Sequence, residues 1–105
     1  MKPPVPLEKE VQAAVVNFYR LVGCQVKSTS QARASKVALG LPDLLVFWPA
    51  RRTFWFHEVK RANARRPSDE QIAFLGLAFE CDVPMVIGGL REAVAHVEAI
   101  RRGAA

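Results

Sequence analysis

The chain has 105 residues, 50% of them hydrophobic, which suffices for one domain with its own core but not for two. Its 15 Lys and Arg against 10 Asp and Glu give a net charge of +5, which suits a polyanionic partner such as a nucleic acid. No apolar run approaches the roughly 20 residues that cross a bilayer, and the first residues lack a signal-peptide core. We expect a single cytoplasmic domain over residues 1–105, with Cys24 and Cys81 as small core residues.

The first predicted element is an amphipathic helix from Leu7 to Val22, which Gly23 ends. Its core stripe consists of Val11, Val15, Phe18 and Val22. Glu8 and Gln12 share one face at the margin of this stripe, whereas Glu10 points roughly 160° away from Glu8. The helix dipole commonly explains a first-turn acid, and a place for Glu8 in a functional site is the alternative.

A short strand candidate, Cys24 to Lys27, comes next and is expected to lie beside the two strands that follow. From Ser28 to Ala38 the sequence is polar and shows no usable period, which predicts a surface loop. Arg33 and Lys36 can contact phosphates from such a loop, and solvated surface charge is the equal alternative.

Two runs of aromatic and β-branched residues, 40–48 and 53–60, predict a β-hairpin, because the four residues between them interrupt the apolar pattern. A loop centred on the middle of that interruption places Asp43 directly opposite Glu58. The same register pairs Phe47 with Phe54 and Leu45 with Phe56.

The two opposed acids dominate one face of this hairpin. Directly opposed residues have Cβ atoms roughly 4.5–5.5 Å apart, so Asp43 and Glu58 repel, and Lys60 shares their face because side chains alternate along a strand. On a sheet covered on both sides, such charges need compensation, and a divalent cation supplies it. The ordinary alternative is that Asp43 caps a turn while Glu58 pairs with Lys60 at the end of a sheet. The opposite face carries His57, with an expected role in packing or in a second layer behind the site, and the apolar residues Leu44, Val46, Trp48, Trp55 and Val59.

Arginines follow the hairpin directly. The basic loop contains Arg61, Arg65 and Arg66 and ends at a proline. Because this loop directly follows the acids, phosphate recognition and the acids would share one rim. Ser68 and Gln71 then have the spacing of a capping box, with Ser68 as the N-cap of a helix. The predicted core stripe of that helix is Ile72, Leu75 and Phe79.

The last two predicted elements are a short buried strand at Met85 to Ile87 and a helix from Leu90 to Arg102. The inward residues of that helix are predicted to be Leu90, Val94, Val97 and Ile100. The element order is therefore helix, three strands, helix, strand, helix.

Pro42-Asp43 on the first hairpin strand and Glu58-Val59-Lys60 on the second resemble the motifs of the PD-(D/E)xK nuclease superfamily, whose αβββαβ core has the same element order. Within it, the chain is similar to the VRR-NUC family, the virus-type replication and repair nucleases. The residues that carry this resemblance are Glu8 with Gln12, Gly40 to Leu44, Glu58 to Lys60, and Ser68 to Gln71.

The resemblance implies an α/β, restriction-endonuclease-like fold with a mixed central sheet flanked by helices, and an endonuclease that hydrolyses DNA with Mg²⁺ or Mn²⁺. It implies that Asp43, Glu58 and the Val59 carbonyl bind the metal, and that Lys60 orients or activates the attacking water. It further implies that an acid and an amide assist from the two helices. The amide is Gln71, and the acid is Glu8, as a further metal ligand, with Glu10 as the alternative position.

The chain resembles the short, stand-alone members of that family in phages and bacteria, which are associated with homodimers and with branched DNA such as four-way junctions. Two other functions stay open. One is a nucleic-acid-binding module without catalysis, and the other is a restriction-like, sequence-specific endonuclease.

Overall fold

The computed structural model describes residues 7–36, 39–60 and 66–103 of the chain. The helices are α1 (Glu8–Val22), α2 (Ser30–Ala34), α3 (Asp69–Glu80) and α4 (Leu90–Arg101). The strands are β1 (Gln25–Ser28), β2 (Leu44–Trp48), β3 (Thr53–Val59) and β4 (Met85–Gly88), with a 3₁₀ turn at Pro49–Arg51 between β2 and β3. The predicted element order is confirmed, with one addition, the short helix α2. No helix in these ranges is long and apolar enough to cross a membrane.

The four strands form one mixed sheet in the order β1-β2-β3-β4. β2 pairs antiparallel with β1 and β3, whereas β4 runs parallel to β3, and α3 lies in the crossover that a parallel connection requires. The hairpin has the predicted register, with Phe47 opposite Phe54 and Leu45 opposite Phe56. The alternation of faces that brings Asp43 and Glu58 together therefore holds.

One face of the sheet, which we call the core face, is closed by α1 and α4. Its polar side chains form a buried chain of hydrogen bonds, in which Trp55 Nε1 donates to the Tyr19 hydroxyl over 3.2 Å. That hydroxyl lies 2.6 Å from His57 Nδ1, and His57 Nε2 lies 2.9 Å from the carbonyl oxygen of Gly88. Since a carbonyl only accepts, Nε2 carries the proton and Nδ1 accepts from Tyr19. Burial lowers the pKa of His57, which keeps the ring neutral.

The opposite face, which we call the outer face, is covered at only one end. Phe74 of α3 packs edge-on against Phe56 with ring centroids 5.4 Å apart. Towards the hairpin turn, Phe47 and Phe54 are 40% and 44% exposed. The expectation of a hairpin covered on both sides is wrong for this half, because the described residues place no element of the chain over it.

The rotation of α3 differs from the prediction. Ile72 is 44% exposed and Phe79 is 85% exposed, while Phe74, Leu75 and Ala78 face the sheet. The helix is apolar on almost every side, so its periodicity does not select a buried face. The described contacts of Gln71 with the sheet end fix the rotation instead, because the inward residues lie three, four and seven positions after it.

Two further expectations need correction. Cys24 is buried as expected, but Cys81 is exposed, because it follows the last turn of α3 at the surface. In α4, Leu90 and Val94 are partly exposed, and the residues with no exposed surface are Ala93 and Val97. Small Ala93 lets α4 approach the sheet closely, so hydrophobic size alone gives the wrong stripe.

Candidate active site

The segment before β2 is held in place by backbone contacts. The Thr29 amide donates to the Asp43 carbonyl oxygen over 3.0 Å, and the Thr29 hydroxyl donates to the carbonyl oxygen of Pro42. Gly40 has a φ of 85°, and a Cβ there would lie 2.3 Å from the backbone oxygen of Glu70. Glycine is therefore required where this segment passes the first turn of α3. Together these contacts fix the segment that carries Asp43 between Thr29 and the first turn of α3.

Asp43 and Glu58 are both 95% buried, and each accepts a hydrogen bond from a backbone amide. The amide of Val59 donates to Asp43 Oδ2 over 2.8 Å, and the amide of Asp43 donates to Glu58 Oε1 over 3.2 Å. Each carboxylate is thus oriented through one oxygen by a backbone N–H. The other oxygen of each acid, Asp43 Oδ1 and Glu58 Oε2, points to side chains.

Cationic and amide groups occupy those two remaining oxygens. Lys60 Nζ lies 3.2 Å from Glu58 Oε2, and Gln71 Nε2 donates to the same oxygen over 2.5 Å. Arg33 Nη1 lies 2.9 Å from Asp43 Oδ1. All four carboxylate oxygens therefore have a partner, and the two acids face two positive charges.

Burial sets the electrostatics of this pair. Glu58 borders a small, almost wholly apolar cavity of about 50 Å³, with Pro42, Phe74 and Met85 in its lining. Burial, and secondly the neighbouring Asp43, raise the pKa of Glu58 to about 7, against the opposing effect of Lys60. Near neutral pH, this carboxyl is therefore only partly ionised. A positive charge placed beside it would favour the ionised form.

Gln71 combines the two roles that the sequence left separate. Its side-chain Oε1 accepts from the backbone amide of Ser68 over 2.9 Å, and its backbone amide donates to Ser68 Oγ over 3.2 Å. These two bonds complete the predicted capping box. The Nε2 end of the same side chain binds Glu58. The helix cap therefore orients the amide toward the acid.

No family model and no curated protein matches this sequence. A solved structure described as a VRR_NUC domain matches it with a TM-score of 0.69 and 24% sequence identity, over 87% of this chain and 94% of the other. The chain has the fold of a VRR_NUC domain. The predicted resemblance is thereby confirmed at the level of the fold, including the mixed sheet flanked by helices.

Within this VRR_NUC fold, the structure brings together Asp43, Glu58, Lys60 and Gln71 of the predicted site. Thr29 and Arg33 also contact Asp43. Arg33 was expected on a surface loop as a phosphate contact, but it lies on α2 and binds Asp43. Thr29 was not among the predicted site residues, because the contact of its amide with the Asp43 carbonyl depends on how β1 pairs with β2.

Other predicted residues lie elsewhere. Glu8 is exposed on the first turn of α1 and makes none of the described hydrogen bonds or ion pairs to the two acids. Glu10 accepts from the Leu7 amide over 3.2 Å, which makes it a helix-capping residue. Lys36 and Arg66 are exposed, as phosphate-binding residues require. Arg61 and Arg65 fall outside the described residues.

The donor set of the VRR_NUC fold here suits Mg²⁺ or Mn²⁺. The described residues contain no group of three or more His, Cys, Asp or Glu side chains that could hold a metal. Mg²⁺ characteristically binds one or two carboxylates and fills its other positions with water and substrate phosphate oxygens. Asp43 Oδ1 and Glu58 Oε2 would supply such a pair of oxygens, a donor set that fits this ion and does not suit zinc.

Proposed function

We propose that this protein is a metal-dependent DNA endonuclease of the VRR-NUC family. One observation carries the proposal: two buried carboxylates meet at the end of a hairpin, each fixed through one oxygen by a backbone amide, with Lys60 3.2 Å from Glu58. Buried like charges are costly, so an arrangement that keeps them together is typical of a functional site. The VRR_NUC fold and the net charge of +5 support the same function.

Asp43, Glu58 and the Val59 carbonyl would hold Mg²⁺ or Mn²⁺, with Glu8 as a further candidate from α1. When bound, such an ion lowers the pKa of a water molecule and neutralises charge on the phosphate. Lys60 presents three N–H donors beside Glu58, which suit it to orient the attacking water and to stabilise negative charge on the phosphate. Gln71 restrains Glu58 through its Nε2 group.

The DNA would contact the exposed side chains of Lys36 and Arg66, together with Arg33. Arg61 and Arg65, outside the described residues, are further candidates from the sequence alone. Phosphate contacts of this kind give affinity without reading sequence, and they suit selection by DNA shape. We propose branched DNA such as a four-way junction as the substrate, and a homodimer as the active form. Paired cuts in two strands need paired active sites, which two-fold symmetry provides.

The decisive experiment compares cleavage of a four-way junction with cleavage of matched flap, duplex and single-stranded DNA, in Mg²⁺, Mn²⁺ or EDTA. We expect cuts only with metal and fastest on the junction. Asp43→Asn, Glu58→Gln and Lys60→Ala should each lower the rate at least about 100-fold. Glu70→Gln, an exposed acid on α3, is the matched control and should retain full activity.

The other outcomes identify the other functions. DNA binding without cleavage under any metal would indicate a binding module without catalysis. Cuts at one sequence in plain duplex would indicate a restriction-like enzyme. Full activity of any of the three variants would remove that residue from the site. Light scattering on the purified protein, with a mass of 11.7 kDa per chain, tests the dimer directly.

A further inference from the structure

The four carboxylate oxygens of the acid pair fall into two kinds. Asp43 Oδ2 and Glu58 Oε1 accept from backbone amides, one at the end of β3 and the other directly before β2, which cannot turn away as a side chain can. Asp43 Oδ1 and Glu58 Oε2 accept from side chains, which can turn aside. If the proposed function holds, the ion takes the second kind, because the cations there, Arg33 on Asp43 and Lys60 on Glu58, are side chains that can turn aside, whereas the backbone donors cannot.

Arg33 therefore occupies an oxygen that the metal needs. Its guanidinium is permanently charged and has no lone pair, so it cannot become a ligand of the ion. Two cations on one carboxylate oxygen repel each other strongly in a buried site. The contact of Arg33 with Asp43 and the binding of a divalent cation are consequently opposed to each other.

The contact is built so that it can be released. Arg33 uses one nitrogen on one oxygen instead of the two parallel hydrogen bonds of a bidentate pair. Its Nε is buried and has no hydrogen-bond partner among the described residues, and its side chain is 30% exposed. The backbone of α2 is held separately, because Thr29 anchors it to Pro42 and Asp43. The side chain can turn while its helix stays.

We propose that Arg33 is the counter-cation of Asp43 in the metal-free protein, and that metal binding releases it to bind a phosphate of the DNA. This inference rests on the proposed nuclease function. Released at the edge of the site, the planar guanidinium offers donors that match phosphate oxygens. Metal binding and DNA binding are coupled through this residue, since the ion frees the group that holds the phosphate.

The test measures Mn²⁺ affinity by calorimetry in the absence of DNA. Arg33→Gln should bind Mn²⁺ roughly tenfold more tightly than the wild type, because a competing charge is gone. Arg33→Lys, which keeps the charge, should stay near the wild-type affinity. Arg102→Gln loses the same charge at the exposed end of α4 and should leave metal affinity unchanged. Thermal melting confirms that each variant is folded.

A purely structural role for Arg33 predicts the opposite sign. If the arginine only organises Asp43, its loss should weaken Mn²⁺ binding, and an unchanged or weaker affinity in Arg33→Gln overturns the inference. If Arg33→Gln gives that result while the wild-type protein binds Mn²⁺ and cleaves DNA, the nuclease proposal stays intact. Wild type that binds no Mn²⁺ overturns both.

A second measurement follows DNA affinity by fluorescence anisotropy, in a Lys60→Ala background that prevents cleavage. With saturating Mn²⁺, Arg33→Gln should weaken binding of a junction roughly tenfold, and in EDTA by less than about twofold, because Arg33 is then held on Asp43. Arg102→Gln should have the same effect with and without metal. Equal losses for Arg33→Gln under both conditions would contradict the release of the side chain.

Discussion

His57 and Glu58 are neighbours on β3, and both are buried, yet they are accommodated in different ways. On the core face, His57 is neutral and is satisfied by Tyr19 and by the Gly88 carbonyl, so no counter-ion is needed. On the outer face, Glu58 depends on the opposing cation Lys60 and on an amide. Neutral partners make the core face insensitive to ions, whereas exchangeable charged partners make the site end of the outer face responsive to them.

The largest difference expected between the two faces is in the unfolding free energy lost when a large side chain is removed near the turn end of β3. Trp55→Ala on the core face should cost about 3–5 kcal/mol of unfolding free energy, because the side chain has no exposed surface. Phe54→Ala, one residue away on the outer face, should cost only about 1 kcal/mol, since 44% of that side chain is exposed. Urea unfolding measures both. Similar losses would show that something covers the outer face in solution.

Removing one hydroxyl breaks the neutral network without changing its shape. Tyr19→Phe keeps the ring but takes away the acceptor of Trp55 Nε1 and the donor to His57 Nδ1. We expect a loss of about 1–3 kcal/mol in urea unfolding, because two buried polar groups lose their partner. A melting temperature equal to that of the wild type would mean that water or another group replaces the hydroxyl.

The charged pair should give the metal-free protein a distinctive pH dependence. The pKa of Glu58 is raised from 4.5 to about 7, so the folded state binds this proton more tightly, and the stability it contributes below pH 4.5 is lost as the pH rises through 7. Lowered pKa values of His57 and His96 act in the opposite sense. The informative quantity is therefore the difference in unfolding free energy between wild type and Glu58→Gln in EDTA.

Between about pH 4.5 and 7, the wild type should lose unfolding free energy relative to Glu58→Gln, because Glu58 loses its proton over this range whereas Gln is neutral throughout. Saturating Mn²⁺ at pH 7.5 should stabilise the wild type and leave the variant nearly unchanged, as mass action requires of a ligand that binds only the folded site. A pH-independent difference would show that Glu58 is ionised normally. Equal stabilisation of both proteins by Mn²⁺ would place the ion elsewhere.

The smallest expected effect separates the two roles of Gln71. Ser68→Ala removes one cap hydrogen bond and should cost about 1 kcal/mol of stability with little change in cleavage. Gln71→Ala should cost a similar amount of stability but lower the cleavage rate further, because Glu58 also loses a partner. Parallel unfolding curves and single-turnover cleavage rates check this. Equal cleavage rates for the two variants would leave Gln71 with the cap alone.

The hairpin and its acid pair could be predicted because they depend on local rules. The position of the turn fixes the register, and the alternation of side chains then decides that Asp43 and Glu58 share a face. The capping box of α3 is also a local signal, and it is present as predicted. These features needed no knowledge of distant parts of the chain.

The remaining features depend on contacts distant in sequence. α2 has five residues and no apolar period, so its position comes from Thr29 at Pro42 and from Arg33 at Asp43, ten or more residues away. The rotation of α3 was mispredicted because both of its sides are apolar, and a polar tie at Gln71 decides between them. Patterns of single residues cannot show such choices.

Gly40 bears no functional group, yet the distance between Gln71 and Glu58 depends on it. Even one methyl group there would collide with the main chain of Glu70 and push the start of α3 outward. Gln71 would then move away from Glu58, although every chemically active side chain of the site would be unaltered. A position without a functional group thus acts as a spacer. Changing it would alter the distances between the side chains of the site without altering those side chains themselves.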